Sequence, residues 1–82
     1  MTDLSLSAMG RIIKKVDPSI RAGIESREEL RRSMEDYGTR LAELATSIAR
    51  SANRNTILPQ DITTARQQVM RSIAYHQSQY QK

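Results

Sequence analysis

Between Ser26 and about Asn53, apolar residues fall at Leu30, Met34, Tyr37, Leu41, Leu44 and Ile48, a repeat of four, three, four, three, four. That spacing places all six on one face of a single long helix. Ser26 with Glu29 three residues on has the form of a capping box, and Gly23 offers an earlier start. Gly38 lies midway along the stripe, where a missing side chain would let another helix cross closely. Ahead of this helix, Met9, Ile12, Ile13 and Val16 form a short stripe with Arg11, Lys14 and Lys15 on the other face. Asp17-Pro18 ends that first helix, because a residue before proline is pushed out of the helical region. Asn53 and Asn55 mark the turn after the long helix, and Thr56, Ile57 and Leu58 form a short extended stretch. Pro59 and Asp61 suit the first turn of a third helix, whose stripe continues through Ile62, Ala65, Val69 and Ile73. Beyond Tyr75 the pattern fades into a polar stretch that either frays or prolongs the third helix. The chain therefore reads as all-α, with a core domain over 1–71 and an extension or tail over 72–82.

Length turns this pattern into an argument about assembly. The central helix spans roughly 40 Å at 1.5 Å per residue, whereas a compact chain of this size is only about 30 Å across. One copy cannot wrap such a rod. Its stripe, Leu30, Met34, Tyr37, Gly38, Leu41, Leu44 and Ile48, is therefore expected to be covered partly by a second chain. Cysteine is absent, which removes disulfides and leaves oligomerisation as the source of extra core.

The net charge of +4 favours polyanionic partners. Its placement says more: the central helix carries five Arg against six acids, while both ends of the chain are basic. No apolar run reaches membrane-spanning length and the N-terminus lacks a signal pattern, so an intracellular, soluble protein without a membrane partner is expected. An enzyme is not expected. The single histidine, His76, sits in the polar stretch, and there is no nucleophile with a base, no glycine-rich phosphate loop and no cluster of metal ligands. No cofactor and no small-molecule substrate follow from such residues. Glu28, Glu29, Glu35, Asp36 and Glu43 read as a solvated helix side paired with Arg31, Arg32 and Arg40.

Three stretches together resemble the histone fold, and specifically the minimal archaeal histones. They are Met9-Gly10-Arg11-Ile12-Ile13-Lys14, Met34-Glu35-Asp36-Tyr37-Gly38, and Arg54-Asn55-Thr56-Ile57 followed by Asp61-Ile62 and Ala65. The resemblance implies an intertwined handshake dimer, as homodimer or heterodimer, that binds double-stranded DNA with little sequence specificity and bends, wraps or bridges it on the chromosome, in the cytoplasm or nucleoid. It implies phosphate contacts for Arg11, Lys14, Lys15 and Arg21, a minor-groove arginine at Arg54 with Thr56 beside it, and a loop clamp between Arg54 and Asp61. The first loop departs from the family pattern in length and lacks its valine-serine step, and Ser51 stands where archaeal histones often carry a histidine used between dimers. Residues 72–82 extend past the usual family end, with Ile73, Tyr75 and Tyr80 as candidate tetramer anchors or as part of a solvated tail. The alternative function is a histone-fold protein-association module without its own DNA binding. Joint presence of Arg11, Lys14, Lys15, Arg54 and Thr56 speaks against it.

Overall fold

A computed structural model describes residues 4–80, with side chains through residue 73. Three helices follow one another: α1 over Leu6–Val16, α2 over Ile24–Ser51 and α3 over Pro59–Tyr80. No strand occurs among the described residues. The chain divides between Tyr37 and Gly38 into two compact parts, with α2 running through the division.

The first part holds α1 and the opening half of α2. Ser5 caps α1 from an extended backbone, its Oγ accepting from the Ala8 N–H at 3.0 Å. At the other end Asp17 is extended, as a residue before proline must be, while its N–H still donates to the Ile13 carbonyl. Asp17 then organises the loop: its Oδ1 accepts from the Ser19 N–H at 3.0 Å and from the Ser19 hydroxyl at 2.8 Å. Those bonds, the backbone one first, hold the Asp17 carboxyl below its ordinary range. Of the α1 stripe, Met9 is buried and Ile13 half-buried, but Ile12 and Val16 are exposed, Val16 at 86 %.

Helix α2 starts three residues earlier than the Ser26–Glu29 pair suggests. The Gly23 carbonyl accepts the first helical bond, from the Arg27 N–H at 3.1 Å, so Gly23 holds the cap position and Ser26 already lies in the first turn. Glu29 does not reach back to close a capping box. Its carboxylate instead takes Arg32 at 3.0 Å, one turn onward. Arg40 and Glu43 form a second such pair at 4.0 Å, both of the exposed kind that adds little stability.

The second part holds the closing half of α2 and α3. Ala45, Ala49 and Ala65 are buried there, small side chains that permit helices to approach closely. Leu41, Leu44, Ile48, Leu58 and Val69 are half-buried, whereas Ala42 and Ala52 are exposed. The end of α2 is a Schellman turn: Asn53 takes a left-handed φ of 60°, its N–H donates to Arg50, and the Arg54 N–H donates to Ala49 at 2.9 Å. Arg54 is thereby delivered at a fixed angle to the loop that leads into α3.

Candidate nucleic-acid interface

Pro59 supplies the fixed backbone of the first helical position of α3, and the Leu58 carbonyl accepts from the Ile62 N–H. Asp61, two residues after Pro59, turns back so that its Oδ2 accepts from the Leu58 N–H at 2.8 Å, the carboxylate half of a capping box. The same carboxylate receives Arg54 as a two-pronged pair, Nη1 to Oδ2 at 2.8 Å and Nη2 to Oδ1 at 3.1 Å. Arg54 Nη1 also donates to the Thr56 carbonyl at 3.1 Å. The carboxylate thus ties the turn after α2 to the first turn of α3, with Thr56 exposed on the loop between them. Asp61 is 2 % exposed and the Arg54 side chain 29 %, so the pair is shielded and its guanidinium is turned inward onto the loop.

Electrostatics follow from this geometry. The Arg54 hydrogen bonds, then the Leu58 N–H, hold the Asp61 carboxyl below the usual carboxylate range, against the opposing effect of burial. Arg54 is in turn pushed above its ordinary value, chiefly by its hydrogen bonds to Asp61. Each partner stabilises the charged form of the other. Removing either would leave the other shielded and unpaired.

In the first part of the chain, α1 presents an open groove lined by Ser7, Gly10, Arg11, Lys14, Lys15 and Arg27, together with Ala8 and Ile12. Among the described residues no carboxylate lines it. Arg11, Lys14 and Lys15 are exposed on its walls, and Arg21 is exposed in the loop between α1 and α2. Arg27 is absent from the sequence-derived candidates. Its signal is Gly10, a glycine inside a helix, where its weak propensity asks for a reason.

Along the α2 stripe, Leu30, Met34, Leu41, Leu44 and Ile48 are half-buried, Tyr37 is 38 % exposed, and a methyl group at Gly38 would meet nothing within 4 Å. Ile73 on α3 is 45 % exposed, while the side chains of Tyr75 and Tyr80 lie outside the described residues. Among the described residues no group of three His, Asp or Glu could hold a metal ion, and no helix is long and apolar enough to cross a membrane. The family model of the core histone domain matches residues 4–68. That span contains α1, all of α2, and the Arg54–Asp61 pair with the first turns of α3. The chain belongs to the core histone domain family.

Proposed function

We propose that this chain is an architectural chromatin protein that binds duplex DNA as an intertwined dimer, with little sequence preference, and compacts it by bending, wrapping or bridging. Histone-fold domains generally dimerise and associate with DNA as structural proteins, which supplies the frame. The observation that carries the reading is the α1 groove: four cations line it, and none of the described residues of its lining is a carboxylate. A module made only for protein association has no use for such a concentration of like charge. Lysine and arginine there neutralise phosphates and release counterions. No base-edge reader accompanies them, so preference among DNA sequences comes from deformability.

The second-loop clamp supports the same reading in a different way. With its guanidinium held by Asp61 and the Thr56 carbonyl, Arg54 fixes the loop that presents Thr56 to the DNA backbone. In this reading residues 1–71 form the histone-fold domain that binds DNA and 72–82 are its C-terminal extension or tail, in which α3 runs through Tyr80.

The test is fluorescence anisotropy of a labelled random-sequence duplex across a salt series. Wild type should lose roughly a thousandfold in affinity between 50 and 200 mM salt, as about six phosphate contacts would give. A variant carrying Arg11→Gln, Lys14→Gln and Lys15→Gln should bind far more weakly with a shallower salt slope. Absence of binding by wild type at low salt would favour the protein-association module.

A further inference from the structure

Gly10 sits inside α1, buried, where alanine would serve the helix better. The reason for the glycine lies on α2. A Cβ built at residue 10 would stand 2.9 Å from Arg27 Cζ, 3.1 Å from Nη1 and 3.2 Å from Nη2. The guanidinium therefore rests on the bare backbone of α1, in a place that any side chain would occupy. Its other edge is tied down as well, since Nε donates to the Ala22 carbonyl at 3.1 Å. That tether uses one of the five guanidinium donors, and the other four are on the terminal nitrogens.

The tether and seat alone would suit a strut between the first loop and α1. A strut, however, gains nothing from positive charge: a neutral amide could donate to the Ala22 carbonyl equally well. Arg27 instead lines the same groove as Arg11, Lys14 and Lys15, where its charge adds to theirs and no carboxylate is found among the described lining residues. Gathering four cations costs repulsion unless an anion arrives between them. A planar fork of fixed orientation is also the group best matched to phosphate oxygens.

We propose that Arg27 is a further phosphate-binding residue, pre-oriented for a DNA phosphodiester by its bond to Ala22 and by the bare surface of Gly10. The proposal rests on the DNA-binding reading above and adds to it a residue and the reason for a glycine. Gly10 is then a positioning residue: it touches no phosphate but decides where the guanidinium lies.

The experiment measures the dependence of duplex affinity on salt for the full chain as wild type, Arg27→Gln, Gly10→Ala and the double variant, with a melting curve for each. Loss of one phosphate contact per chain should make the slope of log affinity against log salt shallower by ~0.9 per chain in Arg27→Gln. Gly10→Ala should give a similar change without loss of fold, because the added methyl displaces the end of a flexible side chain. In the double variant Gly10→Ala should cost nothing more, since the two act through one guanidinium. A wild-type slope in Arg27→Gln, even with a lowered melting temperature, would make Arg27 a strut and overturn the proposal. Should Arg27→Gln fail to fold, Gly10→Ala decides by itself, an unchanged slope again overturning it. Wild type that binds no duplex at all would remove the DNA reading and this proposal together, whereas binding by wild type with unchanged variant slopes removes the proposal alone.

Discussion

One carboxylate joins two roles that are usually separate. Asp61 caps α3 by accepting from the Leu58 N–H and holds Arg54 by both terminal nitrogens, while itself almost sealed from water. Its pKa is lowered in the folded chain, so it contributes stability that is present above its ordinary value of 3.8 and lost as pH falls through the lower, folded one. Acid unfolding should therefore begin below about pH 4 in wild type. Asp61→Asn keeps the shape of the side chain but not its charge, and leaves Arg54 with an amide for a partner. Its melting temperature at neutral pH should fall, and its acid limb should flatten, the remaining slope including Asp17, whose pKa is lowered by Ser19. Thermal melts of the two proteins from pH 7 to pH 2.5 check this. A neutral-pH melting temperature equal to that of wild type would mean that the pair holds nothing together.

Helix boundaries show what could be read from sequence and what could not. Asp17-Pro18 closes α1 and Pro59 opens α3 because proline acts through its own covalent geometry, whatever surrounds it. The start of α2 was less legible. Ser26 and Glu29 have the right types and spacing for a capping box, yet Arg32 takes the carboxylate and Gly23 takes the cap. Arg27 was invisible for a related reason: its seat is Gly10, far back in the chain, and only the fold brings the two together. The clamp was legible through the resemblance of the Arg54–Asp61 stretch to the histone fold, and Pro59 places Asp61 in the first turn of α3, within reach of Arg54. At the far end of α2, Asn53 was recognisable as a turn residue, and its φ of 60° now gives that role an energy. Asn53→Ala should destabilise the chain by about 1 kcal/mol, since a Cβ without asparagine's local hydrogen bonding disfavours this region. Asn53→Gly should stabilise it by a few tenths of that or more. Denaturant melts of both variants decide, and equal midpoints would show that the turn relaxes out of the left-handed region.

For the whole molecule the telling quantity is how little apolar side-chain surface one chain seals. Among the described residues Met9, Ala45, Ala49 and Ala65 are the buried hydrophobics, while Ile12, Val16, Ile20, Ile24 and Tyr37 remain exposed. A 28-residue helix with a half-covered stripe is stabilised when a second chain covers the rest. The melting temperature of wild type should therefore rise with protein concentration. Gly38 tests where the second chain lies. Alanine in a helix interior is ordinarily better than glycine by about 1 kcal/mol, and within this chain nothing stands within 4 Å of the added methyl to oppose that gain. Any loss must then come from another molecule. In the proposed dimer the partner's long helix crosses at Gly38, so Gly38→Ala should weaken association instead of strengthening the fold. Sedimentation equilibrium should show a raised dissociation constant, and melts should show a larger deficit at low concentration than at high. A stabilised Gly38→Ala with wild-type dimerisation would move the crossing away from the middle of α2, to another part of the stripe between Leu30 and Ile48.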